Sequence, residues 1–220
     1  LTRDKGVLFI LDEVITGFRV APGGYQEVCD IVPDMTTLAK VLAGGLPGGC
    51  LTGRADVLDA LAFGNSHGQK MKHPGTYNGN PLSAAAGAAA LEVVSTGEPC
   101  RQANAIAAKL RGELNALFQQ KGIDWVAYGR FSAVKILPEY DGPRPDGDEF
   151  VPYGNDPARL DRKFPAALSH PLRCALLLGG VDWMGWAGST TLAHSNDDVE
   201  RTVSAFAGAI DLLRADGLVG

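Results

Sequence analysis

An α/β architecture in two parts follows from three features of the sequence. Residues 7–11 (Val-Leu-Phe-Ile-Leu) form an unbroken apolar run between Gly6 and the pair Asp12-Glu13, the pattern of a strand buried on both faces. Strand-like and helix-like segments then alternate as far as residue 97. A long amphipathic helix, several short strands and a last helix come after, the order of a smaller α+β end. The chain therefore divides into residues 1–97, which carry the sheet, and residues 98–220, a small C-terminal domain with a long loop at 138–157.

The elements read in order as follows. The first strand, 7–11, stops at Asp12, and residues 12–19 leave it as a loop. Ala21-Pro22-Gly23-Gly24 is a turn cluster, and 25–30 is a short helix. A second strand, 35–39, ends at Lys40, just before the turn Ala43-Gly44-Gly45-Leu46-Pro47-Gly48-Gly49. Residues 49–53 are a third strand and 56–62 a helix; 64–74 is polar and irregular. Asn80 and Pro81 have the capping and first-turn chemistry of a helix running to residue 94, and Gly87 within it allows close approach.

Ile106, Leu110, Leu114 and Leu117 place one apolar stripe on a helix over 100–120, which Gly122 ends. Strands are expected at 125–128 and 132–137. Residues 138–157, with five prolines and many Asp and Gly, have the composition of a long mobile loop. A helical pattern over 160–178 breaks near Ser169-His170-Pro171. A turn and strand at 179–184 and a strand at 189–192 precede a final helix that begins at Ser195-Asn196-Asp197-Asp198.

Bulk properties narrow the function classes. The 220 residues carry a net charge of −5, with 45% hydrophobic and 20% charged residues, an ordinary globular balance. Nothing in that charge suits nucleic acid or an anionic membrane, and no apolar run approaches the roughly 20 residues that span a bilayer. Cys29, Cys50, Cys100 and Cys174 are scattered without metal-ligand spacing and read as reduced thiols of a cytoplasmic protein.

The chemistry-bearing residues are Asp12 and Lys40. A carboxylate at the exit of a buried strand stands where open α/β sheets bind ligands. A lysine at the end of a second strand can converge on the same ligand. Catalysis with pyridoxal 5'-phosphate (PLP) uses such a pair: the amine forms a Schiff base with the aldehyde, and the carboxylate keeps the pyridine nitrogen protonated. Each residue alone also fits a plain role, Asp12 as a turn or cap and Lys40 as a surface charge.

Two ordered blocks, Leu11-Asp12-Glu13-Val14-Ile15-Thr16-Gly17-Phe18-Arg19 and Thr36-Thr37-Leu38-Ala39-Lys40 with its glycine-rich turn, resemble the signatures of class III aminotransferases. His73-Pro74-Gly75-Thr76-Tyr77-Asn78-Gly79-Asn80-Pro81 is similar to the next block of that family, and Leu192-Ala193-His194 to its closing one. The pattern is nearest to that of glutamate-1-semialdehyde 2,1-aminomutases. The resemblance implies the second half of a fold-type I PLP-dependent transferase: the late large-domain sheet, then a small α+β domain. It implies Lys40 as the catalytic Schiff-base lysine, Asp12 on the pyridine nitrogen and Val14 against the ring. It also implies that Gly75 and Thr76 reach the cofactor phosphate of a neighbouring subunit, hence a homodimer. The substrates implied are an amine or amino acid and, for a transferase, a keto acceptor.

Family members carry a long segment before the Asp-bearing strand, with the phosphate-gripping loop and the ring that stacks on the pyridine. Neither is identifiable here, and the chain opens without Met, so a fragment of a longer product is expected. Aminomutases commonly carry Glu in a Phe-Glu-Ala-Gly pattern where this chain has Gly185-Trp186-Ala187-Gly188. A general aminotransferase is therefore the first expectation. Intramolecular transfer and a non-catalytic remnant are the alternatives.

Overall fold

The computed structural model describes residues 1–161, 164 and 166–220. The chain forms two compact units, Leu1–Arg101 and Gln102–Gly220.

The first unit is built on a three-stranded sheet of order β1-β2-β3: β1 (Ile10–Asp12), β2 (Met35–Ala39) and β3 (Gly49–Gly53). β1 pairs parallel to β2, with Asp12 opposite Thr37; β3 returns antiparallel, with Gly49 opposite Ala39. Between β1 and β2 lies α1 (Gly24–Cys29), and after β3 lies α2 (Ala55–Leu58). α3 (Pro81–Ser95) starts where Asn80 Oδ1 accepts from the Leu82 and Ser83 N–H groups, with Pro81 in the first turn.

The expected strand over residues 7–11, buried on both faces, is corrected. Only Ile10–Asp12 pairs, and Val7, Leu8 and Ile10 are about half exposed. An apolar run signals a potential for burial, but burial needs a covering layer. No described element of this unit covers that side of β1.

α4 (Glu98–Lys121) leads into the second unit. There an antiparallel sheet of order β4-β5-β6 joins β4 (Val126–Tyr128), β5 (Ala133–Leu137) and β6 (Ala187–Ser189). Of the expected stripe, Leu110, Leu114 and Leu117 are buried with Trp125, Val134 and Ile136, and Ile106 packs partly buried against them. Leu172 and Leu176 of α6 (Ala166–Leu178) and Phe206, Ile210 and Leu213 of α7 (Asn196–Ala215) complete that core. Phe118 stands edge-on to both Trp125 and Phe206. At the start of α7 the Asp198 carboxylate accepts from the Ser195 N–H and hydroxyl.

Three further expectations in this unit are revised. Of the pattern over 160–178, residues 162, 163 and 165 lie outside the described residues; α5 (Pro157–Leu160) precedes them. α6 runs unbroken through Pro171. A proline inside a helix costs about 3 kcal/mol, yet Leu168, Leu172, Ala175 and Leu176 are buried on one side of α6, and that packing holds the turn. Instead of strands at 179–184 and 189–192 there is the single strand β6, because Trp183 turns into the core against Phe206 rather than pairing.

The loop at 138–157 is tied down. Arg111, almost fully buried on α4, grips Asp148 through Nε (2.7 Å) and Nη2 (2.8 Å), while its Nη1 donates to the Phe131 and Ala133 carbonyls. Arg144 donates to the Trp125 carbonyl (2.8 Å), and Tyr140 is buried against Phe150 and Tyr153. Composition alone marks this stretch as loose; buried partners distant in the chain fix it.

Candidate active site

β1 and β2 run parallel, so the carboxyl ends of both strands lie at one edge of the sheet. Asp12 is the last residue of β1 and Lys40 the first after β2. Both are exposed. Lys40 opens a 3-10 turn, Lys40–Ala43, and has a left-handed backbone (φ 52). That conformation costs a non-glycine residue roughly 1 kcal/mol or more and is found where surrounding structure imposes it.

The imposing structure is α3. Its Gly87 lies under the turn: a Cβ there would stand 2.6 Å from the Leu42 carbonyl oxygen. The close approach expected of Gly87 thus fixes the turn that carries Lys40. A cleft of about 660 Å³ opens beside it, lined among others by Leu42, Gly49, Cys50, His73, Tyr77 and Asn80.

Asp12 is held by one oxygen. Its Oδ1 accepts from the Val14 N–H (2.9 Å) and from the Thr37 hydroxyl (3.1 Å). Oδ2 accepts no hydrogen bond among the described residues, and Lys40 Nζ makes none and no ion pair among them. An open carboxylate oxygen and an amine without a partner among the described residues thus stand at the carboxyl ends of two neighbouring parallel strands, an acceptor and a nucleophile.

Behind Asp12 the loop is organised on a residue whose role sequence reading missed. Glu13 is completely buried. Its backbone N–H donates to the Thr37 carbonyl (3.0 Å), and its carboxylate accepts from the Tyr25 N–H (2.9 Å), the Gln26 N–H (2.8 Å) and the Thr16 hydroxyl. Alternation along a strand sends Asp12 and Glu13 to opposite faces. The nearest sequence signal is the Gly23-Gly24 pair, which lets the start of α1 close on a carboxylate.

Thr37 was likewise not singled out, because a threonine in a strand reads as simple β propensity. Val14 is half-buried. Gly75 and Thr76 stand on an exposed turn, where the Gly75 carbonyl accepts from the Asn78 N–H (3.0 Å). Among the described residues no hydrogen bond joins Thr76 to Asp12 or Lys40. Arg19 has a buried Nε without a hydrogen-bond partner among the described residues. Trp186, the residue that the resemblance sets against the acid of aminomutases, donates from Nε1 to Ser169 Oγ (2.8 Å) and packs edge-on to Trp125 in the second unit.

The chain is 32% identical over 209 residues to glutamate-1-semialdehyde 2,1-aminomutase of Methanosarcina acetivorans, covering 94% of this chain and 45% of that protein. It is 36% identical over 206 residues to the protein of that name from Thermomicrobium roseum, covering 93% and 45%. An omega-transaminase structure from Sphaerobacter thermophilus superposes with a TM-score of 0.78 at 26% identity, over 97% of this chain and 46% of the other. The chain thus spans somewhat under half the length of these relatives. A family model, Aminotransferase class-III, matches residues 1–141. With that match over most of the chain, on the strands that carry Asp12 and Lys40, the chain belongs to the class-III aminotransferase family.

Proposed function

We propose that the chain performs PLP-dependent amino-group transfer as part of a longer protein, with Lys40 as the catalytic residue. The observation that carries this reading is the Asp12 Oδ2 and the Lys40 amine, both without a partner among the described residues, at the carboxyl ends of two parallel strands. PLP supplies an aldehyde that condenses with amines and a ring that draws electron density from the bond being broken. Lys40 Nζ would hold the group at its aldehyde carbon and would serve as the base for the proton on the substrate carbon that bears the nitrogen. Asp12 Oδ2 would accept from the ring N–H, and Val14 would pack against the ring.

In the same reading residues 1–97 are the C-terminal part of the cofactor-binding large domain, and residues 98–220 are the small domain. Gly75 and Thr76 serve the phosphate of a neighbouring subunit, which makes the active form a homodimer; their exposure supports this. The protein works in the cytoplasm on a small amine or amino acid and a keto acceptor.

Intramolecular transfer is the second reading, favoured by the aminomutase names of the two curated relatives. The two are separated by screening amines with the full-length enzyme, with and without an added 2-oxo acid. Turnover that requires the oxo acid supports transfer between molecules, and turnover of an amino-aldehyde without it supports the mutase. No turnover in either arm contradicts the proposal.

A further inference from the structure

We infer that the Thr37 hydroxyl is a positioning group for Asp12, selecting which carboxylate oxygen meets the cofactor ring. The inference rests on the reading of Asp12 as the ring's partner and goes beyond it, since Thr37 itself touches no reacting atom.

The geometry is local and complete. Asp12 and Thr37 are direct neighbours across the parallel pair β1–β2. Thr37 holds both acids of the loop in different ways. Its carbonyl accepts from the Glu13 N–H (3.0 Å), carrying the ladder one residue past Asp12. Its hydroxyl donates to Asp12 Oδ1 (3.1 Å). The second donor to that same oxygen is the Val14 N–H (2.9 Å).

One donor would leave the carboxylate free to turn about its terminal torsion, which is broad and roughly two-fold. Two donors converging on Oδ1 from different elements define its plane. The remaining oxygen, Oδ2, accepts no hydrogen bond among the described residues and is left for a ring N–H. Pre-orientation of this kind spares the ordering cost that binding would otherwise carry. It would also favour a directed, charge-assisted bond to the ring.

The hydroxyl is the part that matters. Valine has the shape of threonine and the same preference for strands, so Thr37→Val keeps the β1–β2 pairing and removes only the donor. Thr37→Ser restores the donor while losing a methyl group. A purely structural role would rank Val above Ser; a positioning role ranks Ser above Val.

The test has two arms on the same variants. In the cofactor-free chain, the carbon-13 resonance of the Asp12 carboxyl, assigned by its loss in Asp12→Asn, is expected to move in T37V and return in T37S. The other carboxyl resonances stay. In the second arm PLP is titrated against each variant and uptake is followed by visible absorbance. T37V is expected to bind roughly threefold to tenfold more weakly, the worth of one such hydrogen bond, with its band displaced. T37S is expected to match the wild type. An Asp12 resonance indifferent to Thr37, or a serine variant that behaves like the valine one, overturns the inference with the cofactor reading intact. A full-length wild-type protein that takes up no PLP at Lys40 overturns both.

Discussion

The carboxylate of Glu13 fills the space that a side chain at Gly24 would need. A Cβ on Gly24 would stand 2.6 Å from Glu13 Oε1, and the residue has φ +77, where L side chains are strained. The loop after β1 therefore closes around one buried charge, with the Tyr25 and Gln26 amides pointing at it. Asp12, on the other face, inherits its position from that closure.

Removing the charge should loosen the first unit. Glu13→Gln puts an amide NH2 against donors and leaves at least one of them unsatisfied, costing about 1–3 kcal/mol. In a chain of this size each kcal/mol lowers the melting temperature by roughly 2–4 °C. Gly24→Ala should cost a similar amount, and the double variant E13A/G24A less than the sum of E13A and G24A, because removing the carboxylate removes the collision. Thermal melts of the wild type, E13A, G24A and the double variant check this. Strict additivity would mean that the two residues are independent.

Gly87→Ala should act at a distance on Lys40. The added methyl meets the Leu42 carbonyl at 2.6 Å and pushes α3 from the Lys40 turn. Overpacking of this size costs about 1–3 kcal/mol. The expected result is weaker PLP uptake in a folded protein, read from absorbance alongside circular dichroism. Unchanged uptake would mean that the turn keeps its shape without α3.

Asp148→Ala should release the loop at 138–157. It leaves the buried Arg111 guanidinium without its carboxylate. Because Asp148 is half exposed, a cost of about 1–3 kcal/mol is expected, below that of a fully buried pair. Limited proteolysis should cut variant chains within 138–157 at protease levels that spare the wild type. Equal cutting would mean that the ion pair does not hold the loop.

Acid should loosen both units. The Phe9 N–H and the Arg54 guanidinium hold the Asp34 carboxyl below its ordinary value, and the Ser195 N–H and hydroxyl do the same for Asp198. Folded-state values lower than the ordinary 3.8 mean that the folded form binds fewer protons than the unfolded one as pH falls. The stability these groups add is present in full above that value and is lost as pH drops through the lowered ones. Urea midpoints measured from about pH 6 to pH 2 should fall at the acid end. They should fall less steeply for Asp34→Asn. Identical slopes would remove Asp34 from the account.

What was legible in the sequence was local. β2 and β3, the Asn80 cap, the apolar stripe of α4 and the start of α7 each rest on residues within a turn or a strand of one another. What was missed depends on partners far along the chain. Arg111 and Asp148, which pin the loop, are 37 residues apart. Thr37 and Asp12 are 25 apart, and the burial of Glu13 needs amides 12 and 13 residues on. Pro171 reads as a breaker until the buried leucines around it are seen. The run at 7–11 reads as fully buried because periodicity reports what a strand could bury and not what covers it.

The most direct test is to load the full-length protein with PLP, reduce it with borohydride and map the modified peptide by mass spectrometry. The account predicts one pyridoxyl group, on Lys40, with the visible band and the mass increment both absent in Lys40→Ala and sharply reduced in Asp12→Asn. A label spread over other lysines, or undiminished when Lys40 is replaced, would contradict it.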